Sequence, residues 1–131
     1  MSARWSLYAD ATIERVVGER MVGPDGNRSG VIGRCLDRYQ EIVQRSRPDL
    51  SVPEWRLCFD AFDASMTSIS WAGIADGMNR LGPKWGVDGR SLLARIHALP
   101  YAGIVALVDE AERYWAAVGR GEDPRVPGEE R

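Results

Sequence analysis

The chain has 131 residues, a formal net charge of -2, 27% charged residues and 44% hydrophobic residues, a composition typical of one ordinary soluble domain or two very small ones. This excludes a wholly disordered chain, and a chain of this length can bury a core without metal or disulfide staples. No apolar run reaches the roughly 20 residues that a membrane span needs. The first residues also lack the basic segment followed by an apolar segment that is typical of a signal peptide. We therefore expect a cytoplasmic protein that makes no membrane contact.

The cysteines indicate the cellular compartment, and the charge distribution indicates the kinds of partner. Cys35 and Cys58 each lie inside an apolar pattern without C-x-x-C spacing, which indicates buried thiols in a reducing compartment. Residues 1–48 carry a net charge of +2 and residues 49–131 a net charge of -4. The two parts of the chain are therefore expected to meet different partners.

The first predicted element is a short β-strand over residues 4–9. Its apolar and polar residues alternate, with Trp5, Leu7 and Ala9 on one face and Arg4, Ser6 and Tyr8 on the other. A single strand leaves its backbone groups and its apolar face without a partner, and no second strand follows in the sequence. We therefore expect it to pair antiparallel with its copy in a homodimer.

Helical patterns follow along the rest of the chain. We predict helices over about 11–21, 27–47, 51–62, 66–81, 88–99 and 100–119, with a loop at 82–87 and a disordered tail from residue 119 to the end. Asn27 and Asp88 are predicted N-caps, and Ser51 with Glu54 has the spacing of a capping box. The predicted fold is thus mainly α, with a dimerisation module at 1–48, a helical domain at 51–118 and a tail at 119–131.

The order strand, helix, turn and helix over residues 4 to about 45 resembles the ribbon-helix-helix DNA-binding family. The resemblance implies that the outward residues of the ribbon, Arg4, Ser6 and Tyr8, contact base edges in the major groove. It also implies that the start of the second helix, Asn27, Arg28 and Ser29, contacts DNA phosphates. Arginine and helix N-termini suit these contacts chemically. The expected dimer core contains Trp5, Leu7, Ile32 and Leu36.

These residues predict a homodimeric transcriptional repressor that binds double-stranded DNA and needs no cofactor or metal. The alternative is an interaction protein, such as an antitoxin or a phage-type inhibitor, that holds a protein partner through residues 51–118. The proposed DNA contacts also have a purely structural interpretation. The polar face of the strand can simply face solvent, and the residues at the start of the second helix can simply cap it. A ribbon that dimerises without touching DNA is the third possibility.

The remaining candidates for catalytic, metal-binding or partner-binding residues carry weaker signals. His97 is the only histidine and lies beside an apolar stripe without a nucleophile partner, while Asp60 and Asp63 share one helix face without further metal ligands. We therefore predict no enzyme. Trp85 is expected to pin its loop or, alternatively, to anchor a partner. The acidic residues at 109, 110 and 112 are expected to form a solvated face, with partner docking as the alternative.

Overall fold

The computed structural model describes residues 11–21, 27–62 and 71–129, and within these ranges the fold is built from six α-helices. The helices are α1 (Ala11–Gly18), α2 (Arg28–Ser46), α3 (Val52–Ala61), α4 (Trp71–Trp85), α5 (Gly89–His97) and α6 (Tyr101–Gly119). The mainly α expectation is confirmed. None of these helices has both the length and the apolar character needed to cross a bilayer.

The predicted N-terminal β-strand, paired across a dimer in a ribbon-helix-helix arrangement, is wrong as a fold class. The described residues contain helices and no strand, and residues 4–9 themselves lie outside the described ranges. The prediction depended on an alternation of only six residues, and so short a pattern specifies a strand poorly. The described part of the chain instead repeats its apolar residues at helical spacing.

Contacts divide the chain into two units, Met1–Glu41 and Ile42–Arg131, so the division falls within α2. The N-terminal unit contains α1 and most of α2. The C-terminal unit contains the last turn of α2 together with α3, α4, α5 and α6. The sequence placed its module boundary near residues 48–53 instead, where proline interrupts the helical pattern.

The core of the C-terminal unit is formed by the inner faces of α3 to α6. Its buried members are Trp55, Leu57, Cys58, Phe59, Phe62, Ile74, Met78, Leu92, Ile96, Leu107, Ala111 and Val126. Two indole N–H groups at its edge find acceptors: Trp115 Nε1 donates to the Phe59 carbonyl at 2.8 Å, and Trp85 Nε1 donates to Asp60 Oδ2 at 2.7 Å. Trp85 is therefore held against the core, as the pinning interpretation predicted.

Glycine allows α4 and α5 to pack closely. A Cβ atom on Gly89 would lie 2.1 Å from the Met78 carbonyl oxygen, so the first turn of α5 fits against α4 only without a side chain there. A Cβ atom on Gly77 would lie 3.2 Å from the backbone of Ala61, so α3 and α4 also pack closely, though less tightly than α4 and α5. The helical stripes predicted the helices, but these contacts set their separation.

The helix ends agree closely with the capping signals. Ser51 and Glu54 form the predicted capping box at α3, and Asp88 accepts from the backbone N–H groups of Arg90 and Ser91 at α5. The loop predicted at 82–87 is shorter, since α4 continues to Trp85. Gly86, with φ of 67°, ends α4 while the Val87 N–H donates to the Gly82 carbonyl at 3.0 Å.

The last helix ends in the same way. Gly121, with φ of 82°, follows α6, and the Glu122 N–H donates to the Ala117 carbonyl at 3.1 Å. The chain then turns back, and Val126 enters the core at 2% exposure. This burial lies within the stretch 119–131 that composition predicted as a disordered tail. A single apolar residue among charge, glycine and proline gave no periodic signal of it.

Candidate interaction surface

The helices α1 and α2 share an accessible apolar face in the N-terminal unit. An open groove of about 220 Å³ runs between the two helices, lined by Thr12, Ile13, Val16, Val17, Ile32, Cys35 and Leu36. No lining residue carries a charge. The spacing of these residues follows the helical repeat in both helices, which is why they share one face. We call this face, together with Tyr39, the α1–α2 face.

Two side chains of α2 project from this face. Leu36 is 58% exposed and Tyr39 is 41% exposed, one turn further along the helix. Large side chains of this kind are usually buried, and a contiguous exposed group of them marks an interaction site more often than a single exposed residue does. The α1–α2 face therefore combines a recess with adjacent protruding apolar groups.

A polar contact at the edge of the groove joins the two helices. Arg28 Nη2 lies 2.7 Å from Glu14 Oε1 and 2.6 Å from Glu14 Oε2. Both side chains are about half exposed, so the pair adds little to stability. It does link the start of α2 to the middle of α1 and so helps to position the groove.

The residues predicted to contact DNA phosphates have other partners here. Asn27 Oδ1 accepts from the Gly30 N–H at 2.7 Å, so Asn27 acts as the predicted N-cap of α2. Arg28 pairs with Glu14, and Ser29 is exposed at the helix start. The predicted base contacts Arg4, Ser6 and Tyr8 lie outside the described residues. The structure therefore describes only one of the two predicted sets.

The predicted dimer core is described only in part. Trp5 and Leu7 lie outside the described residues, whereas Ile32 and Leu36 both line the α1–α2 face. The protrusion of Leu36 was not predicted, because an apolar stripe in a sequence looks the same whether its own chain or a partner covers it. The length of the apolar stripe on α2 was the one feature of the sequence that indicated a face too long for its own unit to cover.

The candidate catalytic groups have structural contacts. The rings of His97 and Trp71 stack with centroids 4.1 Å apart, and Asp60 Oδ2 also lies 3.4 Å from Lys84 Nζ. Burial raises the pKa of the Cys58 thiol to about 12, so the thiol stays protonated and unreactive in the core. Among residues 11–21, 27–62 and 71–129, no group of three or more histidine, cysteine or acidic side chains is arranged to hold a metal ion. Asp63, the proposed companion of Asp60, lies outside the described residues.

The acidic residues of α6 are partly engaged. Asp109 lies 4.0 Å from Arg113 and Glu110 lies 3.5 Å from Arg47, and both carboxylates are largely covered. Glu112 is exposed. The three residues therefore do not form one continuous acidic surface.

No protein-family model matches the chain, and neither a curated protein nor a solved structure matches it. The geometry of the described residues is thus the basis for the functional argument.

Proposed function

We propose that the chain is a non-catalytic interaction protein that forms a homodimer through the α1–α2 face. The exposure of Leu36 and Tyr39 beside an uncharged groove is the observation that carries this proposal. Covering this face removes apolar surface from water, at about 25 cal/mol for each Å² buried.

A second copy of the chain suits this face better than an unrelated partner. A two-fold interface places one patch against the same patch, so it must be complementary to itself. The α1–α2 face meets that condition, because it offers both a groove and, one turn away, side chains that can fill a groove. No charged residue lines the groove, so two copies approach there without bringing like charges together.

The size of the face sets the expected strength of the dimer. Stable specific interfaces bury about 1,200–2,000 Å² in total, whereas the 8-residue α1 and one face of α2 present a smaller patch. We therefore expect a reversible dimer that forms in the micromolar range and dissociates on dilution. Its population then depends on protein concentration.

The test is sedimentation velocity of the full chain from low to several hundred micromolar. Leu36→Arg and Tyr39→Arg place a charge in the proposed contact, and each is expected to abolish the dimer without unfolding the chain. Tyr101→Arg is the matched control, since Tyr101 is 79% exposed on α6 in the other unit. A chain that stays monomeric throughout, or a dimer that survives Leu36→Arg, contradicts the proposal.

DNA binding is a second candidate function, favoured by the opposite face of α2. Arg34 and Arg38 are exposed and lie four residues apart, so they share that face. Selection of bound duplexes from a random pool, followed by a salt titration, tests this candidate. A symmetric site with steep salt dependence supports it, and the absence of enrichment from a verified dimer contradicts it.

A further inference from the structure

A second concave site lies in the C-terminal unit, at the end of α6. It is an open cavity of about 470 Å³, bounded by the last turns of α6, by Phe59 of α3 and by the chain that returns after Gly121. Its volume is in the range of small-molecule sites, about 300–1,000 Å³. We call it the α6 cavity.

The returning wall of the α6 cavity is anchored. Val126 is buried in the core, and its N–H donates to Glu129 Oε1 at 2.7 Å. The same oxygen accepts from Arg56 Nη2 at 2.7 Å, so a guanidinium on α3 ties the end of the chain to the helices. Arg125, next to Val126, is thereby positioned across the cavity from α6.

Positive charge dominates the lining of the α6 cavity. Three arginines line it, Arg113 from α6, Arg120 at the C-cap of α6 and Arg125 from the returning wall, against one carboxylate, Glu110. Glu110 is paired with Arg47 at 3.5 Å, which offsets its charge. A guanidinium offers several N–H donors in one plane and can bind phosphate through two of them at once.

The existing partners of Arg113 and Arg120 leave both guanidinium groups open to a ligand. Arg120 pairs with Glu122, and both side chains are exposed, so this pair contributes about 0–1 kcal/mol and a doubly charged ligand can displace it. Arg113 lies 4.0 Å from Asp109, which is only 13% exposed, so Arg113 keeps this pair and offers the ligand its other N–H donors. The carbonyl groups at the end of α6 accept from the Gly121 and Glu122 N–H groups, which reduces their repulsion of an anion.

One side of the α6 cavity is aromatic. Tyr114 lines it, and its ring packs on that of Phe59, which is 2% exposed, with ring centroids 4.8 Å apart. A planar organic group can pack there while a charged group meets the arginines. We propose that the α6 cavity binds a small phosphate ester with an aromatic group, whose phosphate lies between Arg113, Arg120 and Arg125.

The test is an NMR titration of the isotope-labelled full chain with phenyl phosphate. Inorganic phosphate provides the charge without the ring, and phenol provides the ring without the charge. We expect saturable shifts at the α6 cavity with phenyl phosphate, weaker binding of inorganic phosphate and no binding of phenol. Absence of saturable shifts at millimolar phenyl phosphate, or equal binding of phenol, overturns the proposal.

Variants locate the site. Arg113→Gln and Arg120→Gln are each expected to weaken phenyl phosphate binding about threefold, and the double variant about tenfold. Arg80→Gln is the matched control, because Arg80 also pairs with an aspartate one turn away and is 68% exposed, but lies outside the cavity on α4. Unchanged affinity in the double variant, with its amide spectrum still native, overturns the assignment. Leu36→Arg is expected to bind normally, so this test does not depend on the dimer.

Discussion

In the C-terminal unit the apolar faces of α3 to α6 meet one another, and Leu57 is 0% exposed, whereas on α2 of the N-terminal unit Leu36 is 58% exposed. Both leucines belong to helices that carry an apolar stripe. The comparison shows that a stripe identifies a face that needs covering but does not say what covers it. In one unit the cover is the fold itself, and in the other we propose that it is a second copy.

The largest expected effect separates these two leucines directly. Leu57→Ala is expected to lower the free energy of unfolding by about 2–5 kcal/mol, because it leaves a cavity in the core. Leu36→Ala is expected to change it by less than about 1 kcal/mol when measured on dilute, monomeric protein. Urea denaturation measures both, and similar losses would contradict the comparison.

The close packing of α4 and α5 predicts the second largest change in stability. Gly89→Ala places a Cβ atom against the Met78 carbonyl and is expected to destabilise the fold by about 2–3 kcal/mol, because the helices must separate. Gly33→Ala, on α2, meets nothing within 4 Å and is expected to stabilise its helix by up to about 1 kcal/mol. Thermal unfolding should therefore shift in opposite directions for these two variants.

The turn after α6 gives a smaller effect. Gly121→Ala is expected to cost about 1 kcal/mol, because alanine disfavours a positive φ while its Cβ atom meets no neighbour. Gly119→Ala is the control two residues earlier, with equally open surroundings and an ordinary helical conformation. A loss of stability in both variants would point to something other than the backbone angle.

The smallest expected effect is on the loss of stability at acidic pH. Burial raises the pKa of Glu54, but the hydrogen bond from the Ser51 backbone N–H and the Arg95 guanidinium lower it more, so the net shift is downward. A carboxyl group with a lowered pKa stabilises the fold above its unfolded pKa, and this contribution is lost as the pH falls through the folded value. Glu54→Gln should therefore flatten the decline of stability below about pH 4.5, which urea denaturation at a series of pH values measures.

The sequence predicted the described helices because their apolar residues recur every three to four positions and their ends carry recognisable caps. Asn27, Ser51 and Asp88 were predicted correctly, since N-capping depends on nearby residues alone. The role of Gly89 was not predicted, because close contact between two helices depends on residues distant in sequence. The strand at 4–9 was overinterpreted, because a ribbon was inferred from one short alternation.

The candidate surfaces were less predictable than the helices. Ile32 and Leu36 were expected in a dimer core and do line the α1–α2 face, although the described residues contain no strand of the ribbon that suggested them. The α6 cavity was not predicted at all. Arg113 lies on α6 and Arg120 directly follows its end, two turns further along, but Arg125 joins them only because the chain reverses at Gly121.

The two cysteines can serve as chemical probes of the two units. Cys58 lies in the core, so a thiol reagent can reach it only when the C-terminal unit opens, and its rate of alkylation reports the frequency of that opening. Cys35 lies half-buried in the groove of the α1–α2 face, where a docked copy would shield it. One labelling time course can therefore follow the opening of one unit and the association of the other in the same unmodified chain.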